Sequence, residues 1–409
     1  IYMQKKWFLC KSNKQEVRYM KKTRIAYCIP ALYYPSGMER VLTLKVNYLV
    51  QHGYEIHIIL TDGGDKPPYF PLAPSIELHQ LNIDFEEPYR YAFPRRVWLY
   101  QKRMRILKTK LNECLCAVKP DITVSLLRRD INVINQMTDG SVKMGEIHFD
   151  RIHYRNFNIS WLPSWLNTYI ERHWMRSLIR ELRQLSKFVV LTHEDAAFWP
   201  ELQNVCVIPN PVSFFPDIVS DCTHKQVIAV GRYVAQKGFD RLIDAWRIVA
   251  EKHPDWILKI YGDGHLRDQL QQQVEELRLT NCCFLEHSVS DVVSKFCESS
   301  LSVLSSRFEG FGLVIVEAMS CGLPVVAFTC HCGPRDIIAD GKDGLLIPEG
   351  NVAGLADGIK HLIEDEELRR GMGQEARRKA AEYKMDVVGA QWIELFESLL
   401  SHPMQDRDN

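Results

Sequence analysis

The sequence predicts an α/β protein of two doubly wound domains that face a central cleft. Three observations lead to this fold class. The chain has 409 residues, which is too long for one hydrophobic core of ordinary size. Short, β-branched apolar runs alternate with helical patterns along its length. A proline-rich segment then divides these runs into two series. The composition, 46% apolar and 25% charged, is that of a globular chain.

The first series begins at Thr23 and contains four predicted strands and one long helix. The helix lies between Pro94 and Pro120, and its apolar residues recur at steps of three and four. These are Val97, Tyr100, Met104, Leu107, Leu111, Leu115 and Val118. The strands are RIAYCIP (24–30), EIHIIL (55–60), DITVSLL (121–127) and KFVVL (187–191). Strands that alternate with helices predict a parallel sheet covered by helices.

The second series has the same character and follows a linker. Its strands are QVIAVG (226–231), WILKIYG (256–262), SLSVLSS (300–306) and LPVVAF (323–328). Pro209, Pro211 and Pro216 precede it, and this density of proline excludes a helix or a central strand. We therefore divide the chain into an N-terminal extension outside the native domains (1–22), a first domain (23–208), a linker (209–222) and a second domain (223–385). The last part (386–409) is predicted as a helix that packs back on the first domain, and a tail.

The bulk charge and the cysteines narrow the class of protein. Lys plus Arg equals Asp plus Glu, at 51 each, so the overall charge favours neither nucleic acid nor an acidic partner. The chain contains no apolar run of about 18 residues and no signal-peptide pattern. Its twelve cysteines are therefore predicted to be reduced thiols in a cytoplasmic protein. CHC (330–332) and CLC (114–116) lack a second ligand pair, so we predict no metal there.

The segment SSRFEGFGLVIVEAMSCGLP (305–324) raises the first functional question. The strands on either side of it require a crossover helix. Gly310 and Gly312 are then expected at the helix entrance, where they leave room for a ligand and where free N–H groups favour a phosphate. Glu317 follows about 7 Å along the helix axis. A buried carboxylate needs hydrogen-bond donors, and the hydroxyls of a ribose or an internal Arg or backbone N–H would each provide them.

Two cations stand at a second helix entrance, in VGRYVAQKGFDRLIDAW (230–246). Arg232 and Lys237 follow a predicted strand and precede the next helix. Cations are unfavourable at a helix N-terminus unless they share an anion. A diphosphate would be a suitable anion, because Arg binds it with a planar fork. The alternative is that both are solvated surface cations.

Basic and aromatic residues are interleaved in two further segments. The first, residues 95–110 (RRVWLYQKRMRILKTK), carries seven cations and no acidic residue. The second, residues 151–187, contains Arg151, Arg155, Arg172, Arg176, Arg180 and Arg183, with Trp161, Trp165 and Trp174. This pattern suits an anionic membrane surface or a lipid-linked diphosphate acceptor. The alternatives are a site for single-stranded nucleic acid and a solvated helix face whose tryptophans lie in the core.

Together these motifs resemble those of the family 4 glycosyltransferases, which have the GT-B fold of two Rossmann-like domains. The resemblance runs from about Thr23 to about Leu400. It rests on Glu309 and Glu317 with the glycine loop between them, on Arg232 with Lys237, and on VIPNPV and GLPVVAF. SGMERVLTLKVNYLVQHGYEIHIILTD and CGPRDIIADGKDGLLIP are similar to the amylovoran-type capsular and exopolysaccharide branch.

The resemblance implies a role for individual residues. Glu309 and His148 fall on the catalytic positions near the transferred sugar. Glu317 falls where the family binds the nucleotide ribose, and Arg232 and Lys237 fall on the diphosphate pair. The remaining donor-binding positions are Gly37, in the glycine loop of the first domain, and Gly310, Phe311, Gly312 and Leu313. The first domain is then the acceptor side, and the second domain binds the nucleotide sugar.

Some positions depart from the family pattern and leave the base and sugar preference open. Glu286 or His287 stands where a glycine is common, and Ser36 stands where many relatives have a second glycine. Thr329 and His331 replace the Asp and Pro that the close branch carries.

The resemblance implies a retaining hexosyltransferase that uses a nucleotide sugar, with UDP-sugar as the expected donor. The acceptor would be a growing surface polysaccharide or a lipid-linked oligosaccharide, with peripheral contact to the inner face of an anionic membrane and no nucleic acid. No cofactor and no metal are expected, since the only Asp-x-Asp triplet, Asp406-Arg407-Asp408, lies in the tail. We favour front-face attack, because no residue stands out as a covalent nucleophile.

Three other classes of protein share parts of this pattern. A nicotinamide oxidoreductase needs G-x-G-x-x-G after its first strand, and YCIPALYYPSGMER and GDGHLR do not supply that spacing. A storage-glucan synthase or phosphorylase and a non-catalytic nucleotide-sugar-binding scaffold remain as alternatives.

Overall fold

The computed structural model describes residues 22–64, 66–152, 154 and 163–401. Two fully parallel β-sheets form its two halves, which we call the N-half and the C-half. The N-half sheet has the order β3-β2-β1-β4-β5-β6-β7. Its strands are β1 (Arg24–Ile29), β2 (Glu55–Leu60), β3 (Glu77–Gln80), β4 (Ile122–Ser125), β5 (Val142–Glu146), β6 (Lys187–Val190) and β7 (Val205–Val207).

The C-half sheet has the order β10-β9-β8-β11-β12-β13. Its strands are β8 (Gln226–Val230), β9 (Ile257–Tyr261), β10 (Cys283–Glu286), β11 (Leu301–Leu304), β12 (Val325–Phe328) and β13 (Gly344–Ile347). The strand order of each sheet reverses beside its first strand. These reversals are topological switch points, where parallel sheets bind ligands beyond the carboxyl ends of their strands.

Helices cover both faces of each sheet. The helices of the N-half are α1 (Gly37–Gln51), α2 (Phe93–Val118), α3 (Ser164–Gln184) and α4 (His193–Ala197). The chain continues with α5 (Phe239–Lys252), α6 (Arg267–Glu276), α7 (Val292–Cys297), α8 (Leu313–Ser320), α9 (Pro334–Ile337), α10 (Val352–Glu364), α11 (Glu366–Ala380) and α12 (Met385–Ser401). The central strands β1, β2, β4, β8, β11 and β12 are almost entirely buried, which explains their continuous apolar runs.

The last helix, α12, returns to the N-half. Its buried residues Val388, Trp392 and Phe396 belong to the hydrophobic core formed by β1, β2, β4 and α1. Gly389 faces the ring of Tyr48 on α1, where even a methyl group would not fit. The core of the N-half is therefore completed by the C-terminal end of the chain.

The predicted fold class, two doubly wound parallel-sheet domains, is confirmed. The strands β3, β5, β7, β10 and β13 were not predicted, because runs of three to five residues that are short or interrupted by polar residues give little signal. The crossover helix after Glu309 begins later than expected, at Leu313. Among the described residues, no helix has the length and apolar content of a membrane span.

Candidate functional site

The loop between β8 and α5 presents Lys237 at the switch point of the C-half. The Ser305 hydroxyl donates to the Lys237 carbonyl at 2.9 Å. Gly238 follows with φ of +62°, and a Cβ there would lie 2.1 Å from the Ser305 carbonyl oxygen. Only glycine fits this turn, because it allows both the left-handed conformation and the close approach. The loop is thus fixed against the end of β11.

Lys237 and Glu309 form the centre of the site. Lys237 Nζ lies 2.7 Å from Glu309 Oε1, and the Ser306 hydroxyl donates to the same oxygen at 2.6 Å. Glu309 is buried, and its backbone N–H donates to the carbonyl of His331. Two side-chain donors to one oxygen hold the carboxylate in a fixed orientation. The structure therefore brings together two residues that lie 72 positions apart in sequence.

Gly310 brings the two halves into contact. A Cβ at this position would lie 2.6 Å from the carbonyl oxygen of His148, which follows β5 in the N-half. The sequence interpretation that Gly310 leaves room for a ligand therefore needs correction, because the space is filled by the backbone of the opposite half. The phenyl ring of Phe311 is also turned away from the cleft, since it is buried against Tyr383.

Glu317 lies on α8 and faces the N-half. Its Oε1 is 3.3 Å from Nη1 of Arg40, which is on α1 and is 38% exposed. Burial raises the pKa of Glu317, and Arg40 acts in the opposite direction. The internal Arg that the sequence left open as a partner is therefore present. It comes from the other half and remains accessible.

A buried ion pair supports the N-half side of the site. Lys45 on α1 contacts Glu146 at the end of β5, and both side chains are 1% exposed. Glu146 Oε1 also lies 3.1 Å from Nε2 of His148. Burial would raise the pKa of Glu146, but Lys45 and His148 hold it at about 2. Glu146 thus holds one carboxylate oxygen beside the His148 imidazole, while Lys45 balances its charge.

The other predicted site residues lie at exposed loops and helix ends. Arg232 is exposed in the loop that carries Lys237, and it forms no ion pair with another described residue. Gly37 is exposed at the first position of α1, with no protein atom within 4 Å of where its Cβ would be. Gly312 stands immediately before α8, and Leu313 is its first residue. Sequence reasoning missed Arg40, Lys45, Glu146 and Ser306, since only the fold brings them to the site.

The two halves also meet through α4 and α9. The Asp336 carboxylate accepts from the N–H groups of His193 at 2.7 Å and Glu194 at 3.3 Å. Arg335 Nη1 lies 2.7 Å from Glu194 Oε1. An acidic side chain at the N-terminus of α4 is favourable, so these contacts fix the cleft on one side.

The basic and aromatic segments form an exposed surface of the N-half. Trp98 on α2 is 62% exposed and Trp165 on α3 is 70% exposed, so neither is a core tryptophan. Trp174, in contrast, packs against the core. Lys102 lies 5.6 Å from the ring centre of Trp98. Arg155 and Trp161 lie outside the described residues.

In the part of the chain that the structure describes, two groups of side chains lie close enough together to hold a metal ion. One is Asp150, His331 and Cys332, near the site. Burial raises the pKa of the Cys332 thiol, which disfavours the thiolate that binds metal. The other, His57, Glu77 and His79, lies at the far end of the N-half sheet. The tail triplet Asp406-Arg407-Asp408 lies outside the described residues.

Two doubly wound parallel-sheet domains, with a cluster of cations and carboxylates between their switch points, form the architecture of the GT-B fold. Residues 214–379 match the family "Glycosyl transferases group 1". The chain is 27% identical over 381 residues to an uncharacterized glycosyltransferase of Haemophilus influenzae, covering 91% of this chain and 99% of that protein. The protein is therefore a glycosyltransferase, with the GT-B fold.

Two further comparisons agree with this class. The chain is 24% identical to the amylovoran biosynthesis glycosyltransferase AmsD of Erwinia amylovora, over 88% of this chain and 95% of that protein. A solved structure of S. aureus TarM, in complex with Fondaparinux, alpha-GlcNAc-glycerol and UDP, superposes with a TM-score of 0.72 at 17% identity. That superposition covers 91% of this chain and 99% of TarM. The resemblance to the amylovoran branch is thus supported along nearly the whole chain.

Proposed function

We propose that the protein transfers a hexose from a UDP-sugar to a growing surface polysaccharide or a lipid-linked oligosaccharide, with retention of anomeric configuration. The observation that carries this proposal is the cluster in the cleft, where Lys237 is paired with Glu309 and Arg40 reaches Glu317 from the opposite half. The TarM complex contains UDP, and AmsD is named for polysaccharide biosynthesis.

The charges of the cleft suit a departing diphosphate. Lys237, Arg232 and Arg40 provide three cations, and Glu309 and Glu317 provide two carboxylates, so the cluster has one positive charge in excess. A diphosphate would share Lys237 with Glu309 and would also engage the exposed Arg232. Fixed cations placed where negative charge develops lower the barrier of transfer.

Glu317 is suited to bind the ribose. Burial raises the pKa of its carboxyl group, and the partner that reaches it from the N-half, Arg40, is itself 38% exposed. Two adjacent ribose hydroxyls would donate to it and offset the cost of burial. Preference for the sugar nucleotide would then come from ribose hydroxyls that add to, or replace, the donor from Arg40.

Glu309 and His148 are proposed to act on the transferred sugar. Both are close to the contact between Gly310 and the His148 carbonyl, and thus to each other. Glu309 would stabilise the positive charge of the oxocarbenium-like centre, and His148, held beside Glu146, would bind a sugar hydroxyl. Attack from the front face then needs no covalent nucleophile and no catalytic metal.

The acceptor would approach from the N-half. Exposed Trp98 and Trp165, with basic residues around them, suit a lipid-linked acceptor at an anionic membrane surface. Sedimentation with anionic vesicles at low salt should recover the protein in the pellet. A double W98A/W165A variant should stay in solution, and absence of wild-type binding would remove the membrane part of the proposal.

A panel of nucleotide sugars tests the donor. UDP-hexoses should raise the Tm and should be hydrolysed slowly without acceptor, whereas GDP- and ADP-hexoses should have smaller effects.

K237A and E317A should weaken nucleotide binding, and E309A should chiefly lower kcat. K225A, at an exposed lysine of the C-half, is the matched control. Wild-type activity in K237A, E317A and E309A, or no response to any nucleotide sugar, would contradict the proposal. An inverted product, or loss of turnover with EDTA, would contradict the mechanism.

A further inference from the structure

The same Glu-x-His triplet occurs on two neighbouring strands of the N-half sheet. β2 begins with Glu55-Ile56-His57, and the edge strand β3 begins with Glu77-Leu78-His79. Residues two apart on a strand point to the same face. His57 stands opposite Glu77 in the register, with His79 two positions further along. The triplets lie at the amino ends of the strands, whereas the cleft lies at the carboxyl ends.

The register brings three potential ligand atoms together. His57 Nδ1 is 3.0 Å from His79 Nε2 and 3.4 Å from Glu77 Oε2. His79 Nε2 is 3.9 Å from the same Glu77 oxygen. Zinc bonds of about 2.0–2.1 Å in a tetrahedral site separate neighbouring ligand atoms by about 3.3 Å. The three observed distances lie around this value.

We propose that His57, His79 and Glu77 form a structural Zn²⁺ site that joins the edge strand β3 to β2. Two imidazole nitrogens and one carboxylate are a ligand set that zinc accepts. The Glu77 side chain is 65% exposed, so water can occupy the fourth position. The site is separate from the cleft, and it leaves the expectation of metal-free transfer unchanged.

The surroundings of His57 favour this role. Its other ring nitrogen, Nε2, is 3.0 Å from Glu55 Oε1. Arg24 Nε donates to the same Glu55 oxygen at 2.6 Å, and Arg24 Nη1 donates to the Val118 carbonyl at 2.6 Å. A histidine that donates from one nitrogen to a carboxylate presents the lone pair of the other to a metal. Glu55 therefore orients His57 as a zinc ligand.

Without metal, the same geometry would be a hydrogen bond in which one imidazole donates to the other. The two interpretations differ in what the protein binds. The reduced full-length protein should be dialysed against Zn²⁺ alone, and its metal content measured by mass spectrometry. Wild type should retain one more Zn²⁺ per chain than H79A. H253A is the matched control, because His253 also pairs with a glutamate, Glu364, at 3.0 Å but belongs to no group of three potential metal ligands among the described residues.

A second variant tests the orienting role. E55Q should bind Zn²⁺ about 10- to 100-fold more weakly than wild type, while H253A should match wild type. Anomalous scattering at the zinc edge from soaked wild-type crystals provides a measurement that does not depend on any variant folding. A peak between the two histidines and Glu77 would support the site. Equal zinc contents in wild type and H79A, or anomalous peaks only at cysteines, would overturn it.

Discussion

Replacing Lys45 by methionine should destabilise the N-half by about 3–5 kcal/mol, which is the usual cost of removing one partner from a buried ion pair. Lys45 contacts Glu146, and both side chains are 1% exposed. Its ammonium group also lies 3.9 Å from the ring centre of Trp392 on α12. Methionine fills a similar volume but leaves the Glu146 carboxylate buried without its cation.

The pKa of Glu146 shows the same dependence on Lys45. In the folded protein, against the effect of burial, Lys45 and His148 lower it from 4.5 to about 2, whereas burial lowers the pKa of Lys45. The paired carboxylate therefore depends on its cation, and a loss of about 3–5 kcal/mol should lower the urea concentration at which the Lys45→Met variant unfolds by about 1 M or more. Tryptophan fluorescence is a suitable signal, because Trp392 is buried beside the ion pair.

Two further variants separate the lost pairing from lost packing. The double variant Lys45→Met with Glu146→Leu should recover most of the loss, since an apolar pair of similar volume is often as stable as a buried ion pair. Lys225→Met removes a pair with Asp255 in which both side chains are more than half exposed, and should cost less than about 1 kcal/mol. A stabilising role of the Lys45–Glu146 pair is contradicted if Lys45→Met unfolds like wild type, or if the double variant is no more stable than the single one.

Three other perturbations follow from the geometry. Gly310→Ala would place a Cβ 2.6 Å from the His148 carbonyl oxygen, so kcat should fall at least tenfold while UDP affinity, measured by calorimetry, changes little. Gly238→Ala should destabilise the protein by about 2 kcal/mol or more because of its positive φ. Gly371→Ala on α11, where there is free space and helical geometry, should instead stabilise it by about 0.4–1 kcal/mol. Urea unfolding measures both changes. Because the pKa of Glu146 is lowered, its stabilisation is complete above pH 4.5 and is lost as the pH falls towards 2. Wild type should therefore lose more stability than Glu146→Gln between pH 5 and pH 3, and equal losses would contradict this assignment.

The fold class could be predicted because both sheets are buried on two faces. Their strands are continuous apolar runs, and the helices between them have clear periodicity. Exact element bounds were less predictable. Val97 fits the apolar pattern of α2, yet it is 43% exposed, because the first turn of the helix extends beyond the core. Short edge strands such as β3 gave no pattern that distinguishes them from loops.

The candidate site was predictable only in part. Glu309, Glu317 and Lys237 stand in local patterns of glycine, charge and helix entrance, and these patterns are visible in one segment at a time. Arg40 and Glu317 are 277 positions apart, so their pairing depends on how the halves face each other. The reason for Gly310 was also hidden, because its neighbour is the backbone of another domain.

The return of α12 to the N-half has a consequence for the order of events during synthesis. A ribosome completes the strands β1 to β7 long before it reaches Trp392 and Phe396, which close the apolar face formed by those strands. Until then, the nascent N-half exposes that face and the Lys45 side chain that Trp392 later covers. A protein truncated after residue 379 would keep every residue matched to the family. Its N-half, although synthesised first, would nevertheless lack part of its hydrophobic core. Such a product should require chaperones or be degraded.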